Sequence, residues 1–278
     1  IKINFLRGLF FFDNSILFEN YGEFSVLQIG KALDNIAKST HPLHAIFIKD
    51  FETPAVEYTS AFKHFGFTNI KVEPNMLITL KSEWKTFEDY KAALKSKYRV
   101  KANKADSKSK ALKLQVFSKN DIETYKNELQ NLYQNTIDNA NFNAQVLDLN
   151  TYIKLKESYK DNFIVWSYFL DDKIVGFLSA LKNRNHLDAH FIGLNYSLNK
   201  TYGIYPRILN DYIRLGLEKK VKIINLGRTA SEIKSTIGAK PLALSCYIKH
   251  KNKFLNVLIK PFFKKIQIKS FKQHSPFK

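Results

Sequence analysis

Arg228, Glu232 and Lys234 fall within seven residues of one another, and each has a use in moving an acyl group onto an amine. A lysine ammonium is a compact donor to the oxyanion that develops when a carbonyl is attacked. An arginine just past a strand end grips a phosphate or carboxylate with two parallel N–H groups. Glu232 reads either as a general base for the acceptor amine or as a first-turn carboxylate that favours a helix dipole. Upstream, Asp188 and His190 share one face of an expected strand and could line an acceptor cleft. For His190 the competing reading is a satisfied structural histidine. Tyr205 and Arg207 stand at an expected helix start, where donor phosphates would lie. Other chemistries find no footing. The single cysteine, Cys246, rules out an internal disulfide and lies in a strand-like run, where a core thiol is the plainer reading. There is no His-Glu-x-x-His, no Gly-x-Ser-x-Gly and no Walker loop. The seven histidines are scattered without metal-ligand spacing, so no metal site is expected.

The residues that could do this chemistry lie in the stretch 188–241, which reads as four pieces. Asp188–Asn195 is a strand, with Asp188, His190 and Ile192 on one face. Tyr196–Ile204 is a polar loop. Tyr205–Lys220 is a helix, with Ile208, Leu209, Tyr212, Ile213, Leu215 and Leu217 at helical spacing and Pro206 in its first turn. Lys222–Leu226 is a second strand, ended by Gly227, and Thr229 or Ser231 then caps a short helix that stops at Gly238. Strand, helix and strand make a parallel crossover, which puts ligands at the carboxyl ends of its strands. A helix N-terminus there offers free N–H groups, a seat for the pyrophosphate of an acyl-coenzyme A. The plain alternative is an ordinary crossover with nothing bound.

Three phrases of this stretch carry a resemblance: His190-Phe-Ile-Gly-Leu-Asn-Tyr196, Asn225-Leu-Gly-Arg-Thr229 and Glu232-Ile-Lys-Ser-Thr-Ile-Gly238. The block resembles the C-terminal half of the GNAT acyltransferase domain of Fem-type and "peptidoglycan biosynthesis/recognition" (BioF2-like acetyltransferase) proteins. Ile233 stands where the Fem signature has an aromatic residue. The likeness continues in Ala45-Ile-Phe-Ile-Lys-Asp-Phe51, in Val72-Glu-Pro-Asn-Met76 and in the aromatic and basic run from Trp84 to Lys113. It implies an α/β fold of two tandem GNAT-like lobes, mixed sheets flanked by helices, with the first lobe incomplete. It also implies that Lys234 sits near the acyl donor. Lys200-Thr-Tyr-Gly203-Ile-Tyr205 loosely matches the GNAT phosphate loop, with a bulky tyrosine in the last place. Lys200, Gly203, Tyr205, Arg207 and Arg228 are therefore the candidate donor-binding residues. The co-substrate would be acyl-CoA or acyl carrier protein, with no tightly bound cofactor.

Charge is distributed unevenly. The formal net charge is +19, yet residues 81–119 hold twelve Lys/Arg against four Asp/Glu, and residues 249–278 hold nine lysines against no acid. The remainder is about neutral, so the basic balance is two local devices. Trp84–Lys113 reads as one basic helix, either a solvated face or a contact for the phosphates of a donor, a tRNA or a lipid head group. The run 249–278 interleaves its lysines with Phe254, Leu255, Leu258, Ile259, Phe262, Phe263, Ile266 and Phe271. That is the makeup of a segment lying on an anionic membrane surface, or of a docked helix with its lysines outward. An acidic acyl carrier protein would be drawn to it as well. No window approaches 18 consecutive apolar residues, so no spanning helix is expected.

In chain order, Lys2–Phe12 and Ser15–Glu19 read as a hairpin, Phe24–Lys38 as an amphipathic helix and His44–Lys49 as a strand. Val56–His64 reads as a helix, with extended runs at Asn69–Val72 and Met76–Leu80 on either side of Pro74. A strand at Leu112–Phe117 opens a second lobe. A helix capped by Asp121, another at Leu149–Lys160 and a hairpin across Asp171-Asp172 follow, and Leu242–Lys249 closes the sheet. The domain reading is a lobe at 1–80, a basic interdomain helix at 81–110, an acyltransferase lobe at 111–250 and a basic aromatic tail at 251–278. Ile1–Phe12 carries neither an initiator methionine nor a signal pattern, so the chain is expected to begin inside a longer protein, in the cytoplasm or peripheral on the inner membrane face.

Three functions compete. The first is an N-acyltransferase that takes an acyl group from a thioester and gives it to an amine, in cell-envelope or lipid metabolism. The second is a Fem-type transferase with an aminoacyl-tRNA donor, for which Trp84–Lys113 is short of the long helical hairpin that Fem proteins often carry. The third is a non-catalytic module that binds anionic surfaces.

Overall fold

The computed structural model describes residues 22–39, 44–52, 59–139, 146–264, 268 and 270–278. The hairpin expected before Glu19 lies outside them. The chain forms two units, one of Ile1–Asn75 with Pro241–Phe271 and the other of Met76–Lys240 with Lys272–Lys278. This is not the linear division expected from the sequence. The basic run after Trp84 belongs to the second unit, and the run read as closing the C-terminal sheet belongs to the first. The reason is strand pairing: β8 (Lys240–His250) lies antiparallel to β1 (Ala45–Glu52), from Ala45 opposite His250 to Glu52 opposite Leu244.

In the first unit, α1 (Gly22–Ser39) lays Val26 and Leu33 against β1, a 3-10 turn at Ser60–Phe65 and β8. Phe51, Phe62 and Tyr247 form its aromatic centre, with ring centroids 5.2–6.0 Å apart. The Tyr247 hydroxyl meets the Thr59 hydroxyl at 2.9 Å, so burying the ring leaves no orphaned polar atom there. Cys246 is a core thiol, fully buried. The two extended runs expected around Pro74 are one strand, β2 (Thr68–Thr79).

The second unit is built on the end of β2, followed in sheet order by β7 (Ile223–Asn225), β6 (His186–Leu194), β5 (Lys173–Asn183), β4 (Phe163–Leu170) and β3 (Lys113–Val116). All neighbours are antiparallel except β6 and β7, which run parallel. The α/β class with mixed pairing and flanking helices is the expected one. Asp171 and Asp172, both at positive φ (46° and 63°), make the two-residue turn of the β4–β5 hairpin.

Several helices differ from expectation for local reasons. The run from Trp84 is two helices, α2 (Phe87–Ala93) and α3 (Ser96–Lys108). Between them Leu94 is extended, because it bridges Phe277 while the Lys95 N–H donates to the Pro276 carbonyl at 2.8 Å. The helix expected from Asp121 is a pair, α4 (Lys119–Thr124) and α5 (Lys126–Asp138). Its cap is Ser118, and Asp121 closes a capping box by accepting the Ser118 N–H at 2.8 Å. Helix α6 (Thr151–Tyr159) then leads to β4. The polar loop expected after β6 is a helix, α7 (Tyr196–Tyr202), with no apolar stripe to announce it. Asn195 caps it, and Gly203 at φ 61° turns the chain into α8 (Ile204–Glu218).

Helix α5 rests directly on β6 at Gly193. A Cβ there would fall 2.6 Å from the Leu132 carbonyl carbon and 2.7 Å from the Tyr133 nitrogen, both backbone atoms that cannot step aside. Gly193→Ala is expected to cost about 2 kcal/mol or more in urea denaturation by forcing helix and sheet apart. An unchanged midpoint would mean that this close approach is not a constraint.

Candidate functional site

Strands β6 and β7 share only three pairs: His186–Ile223, Leu187–Ile224 and Asp188–Asn225. The Asn225 amide donates to the Asp188 carboxylate at 3.1 Å where they end. Beyond this fork the chain after β7 stays with β2: the Leu226 N–H donates to the Met76 carbonyl at 2.9 Å, and the Met76 N–H to that of Gly227 at 3.1 Å. Strand β6 continues to Leu194 alongside β5. From Ala189 onward, its edge on the β7 side therefore has no strand neighbour among the described residues. A parted pair of parallel strands exposes backbone donors in a fixed direction, as an oxyanion site requires.

The far side of the fork is a strained loop. Gly227, Thr229 and Ala230 all have positive φ (70°, 64° and 48°), and for the β-branched Thr229 that conformation is costly. Neither Thr229 nor Ser231 caps the next helix, α9 (Ser231–Ser235); its cap position is Ala230, whose methyl group accepts no hydrogen bond. Lys234 holds the loop instead. It is 7% exposed, and its ammonium donates to the carbonyls of Leu226 (2.7 Å), Gly227 (3.4 Å) and Arg228 (2.7 Å). Three donors meet three acceptors, which is how a buried ammonium is tolerated. Lys234 thus meets Arg228 through the backbone of the latter.

Glu232 is exposed and meets a residue that sequence reasoning passed over. Its carboxylate lies 3.3 Å from His274 Nε2, while His274 Nδ1 faces the Tyr98 hydroxyl at 3.1 Å. Carboxylate, imidazole and phenol come from α9, from the segment 272–278 and from α3. No local spacing could have announced this group, since 42 residues separate Glu232 from His274. The same segment seals the end of the Lys234 helix. Phe277 packs so close to Gly238 (φ 98°) that a Cβ there would fall 2.4 Å from its ring. Buried Tyr90 donates to the Ile237 carbonyl at 2.8 Å.

His190 goes elsewhere. A bulge between β5 and β6, where Leu178 faces Ile192 but Ala180 faces Ala189, turns His190 and Phe191 together into one aromatic cluster with Tyr152 and Phe163. The alternation expected of this strand fails there. The Ser179 hydroxyl donates to the Phe191 carbonyl (2.7 Å), so the Tyr152 hydroxyl must donate to Ser179 (2.8 Å). The Tyr152 oxygen then accepts from His190 Nδ1 (3.2 Å), which assigns the Nδ1–H tautomer. Burial pushes His190 down from 6.5 to about 4, a weak base at neutral pH.

The residues of the phosphate-loop likeness sit at the α7–α8 corner, where the helix-start donors already have partners. Asn195 Oδ1 accepts the Ser197 and Leu198 N–H groups at 3.0 and 3.4 Å, and Asn199 Oδ1 accepts that of Tyr205 at 2.8 Å. The Lys200 carbonyl accepts from Lys108 Nζ at 2.8 Å, and Gly203 lies against Lys108. Arg207 donates Nε–H to the buried Asp211 at 2.7 Å and reaches Ser109 at 3.3 Å. Asp211 also accepts from Tyr168 (2.9 Å) and Arg214 (2.5 Å), and Arg214 continues to Asp106 of α3 at 2.6 Å. This corner is a polar joint between α8 and α3.

No protein-family model and no curated protein sequence matches the chain. Solved structures do. FemX superposes with a TM-score of 0.59 at 10% identity, over 86% of this chain and 79% of that one. The L-PGS structure from Bacillus licheniformis gives 0.56 at 12% identity, over 87% and 79%. A tandem GNAT protein of the clavulanic acid biosynthesis pathway gives 0.52 at 11% identity, over 81% and 70%. The fold is GNAT-like. At these identities the likeness speaks for architecture alone.

Two outcomes test this geometry. Between pH 6.5 and about 4 the unfolded chain binds a proton at His190 that the folded chain refuses, so stability falls as pH drops through that window. His190→Gln should flatten the fall by up to about 3 kcal/mol in urea titrations at pH 4.5 and 7; an unaltered slope would show that the imidazole is not the titrating group. Lys234→Ala should leave loop carbonyls without a donor and cost about 1–3 kcal/mol by the same measurement, and no loss would mean that the ammonium does not hold the loop.

Proposed function

We propose that the second unit transfers an acyl group from a carboxyl-activated donor to an amine, in the fork where β6 and β7 part. The parting itself carries this reading. An amine attacking an acyl carbon places negative charge on the carbonyl oxygen, and the edge of β6 beyond Asp188, with no strand neighbour among the described residues, supports donation of backbone N–H groups to it. The amine nitrogen forms the new bond while the bond from the acyl carbon to sulfur or oxygen breaks. The amine proton passes to a base, for which we put forward the Glu232–His274 pair, with Glu232 two residues from Lys234. Lys234 then acts by fixing the loop opposite β6 and adding positive charge beside it.

Acyl-CoA, acyl carrier protein and an aminoacyl ester of tRNA are all donors suited to this chemistry. One observation favours the tRNA ester. The helix-start N–H groups that would seat a pyrophosphate are occupied by Asn195 and Asn199, whereas α3 sets exposed Lys97, Lys101, Lys104 and Lys108 along one face. That spacing covers about 16 Å of helix and suits a phosphate backbone. The acceptor we put forward is an amine of the cell envelope, the class implied by the resemblance of the sequence to Fem-type proteins.

Purified protein incubated with amine acceptors and each donor pool in turn should release free thiol or deacylated tRNA. Lys234→Ala, checked for folding by circular dichroism, should lower that rate by about 10²-fold. Donor loss no faster than in the absence of protein, across all three pools, would refute transferase activity.

A further inference from the structure

The helix α10 (Lys253–Lys264) of the first unit is apolar on its exposed side. Its buried face carries Asn256, whose amide is fully engaged: Oδ1 accepts the His250 N–H at 2.9 Å and Nδ2 donates to the Gly66 carbonyl at 2.8 Å. Asn252 fixes the helix start by accepting the Leu255 N–H at 3.1 Å. These bonds set the rotation of the helix, so that Ile259 and Phe263 are half-buried while four other apolar residues face outward. Phe254 is 71% exposed, Val257 62%, Leu258 49% and Phe262 73%. With Pro261 they follow the i, i+3, i+4, i+7, i+8 spacing of one continuous stripe. A folded surface does not normally spend its only bound orientation on turning two phenylalanines to water.

We infer that this stripe is a membrane-docking face, in which Phe254, Val257, Leu258 and Phe262 enter the acyl boundary of an anionic bilayer. The lysines select that occupant. Residues 251–264 carry Lys251, Lys253, Lys260 and Lys264 and no acid, and Lys253 and Lys260 lie along one side of the stripe on the same helix. Lysine heads reach phosphate groups while their stems and the neighbouring rings lie in hydrocarbon. A second copy would bring like charge onto like charge. An acidic protein would answer the lysines but leave the exposed phenylalanines against a charged surface. A bilayer with anionic head groups satisfies both. No helix among the described residues is long and apolar enough to cross a membrane, so the contact is with one leaflet.

The full chain should co-sediment with phosphatidylglycerol/phosphatidylcholine vesicles and bind phosphatidylcholine vesicles at least roughly tenfold more weakly. Phe254→Ser with Phe262→Ser should lower binding to the anionic vesicles roughly tenfold or more, with an unchanged circular dichroism spectrum. In Phe262→Trp, brominated lipid should quench the new emission. Absence of sedimentation, equal binding by the double variant, or binding without quenching would overturn the inference. So would a wild-type dimer in light scattering that the double variant dissolves, since the stripe would then be a self-interface. The assay needs no donor or acceptor and stands apart from the transferase reading.

Discussion

The second unit depends on a buried cation. The chain between β7 and α9 takes a conformation that its own residues resist, with Gly227, Thr229 and Ala230 all left-handed. Such a loop turns carbonyls inward, of which that of Gly227 also accepts from the Met76 N–H of β2. The Lys234 ammonium gathers three of them, and in doing so exchanges one problem for another. Charge and carbonyls are each costly when buried alone and tolerable together. With the loop held this way, Leu226 and Gly227 stay with β2, and β6 runs on from Ala189 with no parallel neighbour among the described residues.

The crossover was legible because its signals are strong and local. The apolar period of Ile208, Leu209, Tyr212 and Ile213 announces α8, and the Asp171-Asp172 turn announces its hairpin. What could not be read was set at a distance. Helix α7 has no apolar stripe and exists because Asn195 caps it. The break at Leu94 is imposed by Phe277, and the bulge at His190 is pinned by the Ser179 hydroxyl of the neighbouring strand. Arg207 was expected to hold phosphate because it stands at a helix start, yet Asp211, one turn on, holds it. Sequence shows which charges are near in the chain; only the fold shows which are near in space.

The assignment of residues to the candidate site follows the same pattern. Lys234 and Glu232 were singled out from local spacing; the fold sets the Lys234 ammonium on the carbonyls of the loop after β7 and the Glu232 carboxylate against His274. The imidazole facing Glu232 comes from a segment whose composition suggested a lipid surface, and that composition belongs instead to a mixture of two segments. Residues 253–264 form the exposed apolar helix of one unit, whereas 272–278 are packed into the other. Averaging the two hid both.

The chain order of the units has a kinetic meaning. The polypeptide starts the first unit, leaves it at Asn75, and comes back to it only at Pro241. The second unit in turn awaits residues 272–278, which bring Phe277 to Trp84, Tyr90 and Gly238. During synthesis the aromatic cluster around Phe62 awaits Tyr247 and the one around Tyr90 awaits Phe277, whereas the cluster from Phe117 to Phe177 needs neither, and long-range closure of the first kind is slow. The aromatic surfaces around Phe62 and Tyr90 therefore each lack a ring partner until the last part of the chain is made, and a chaperone that shields nascent apolar surface would find both at once.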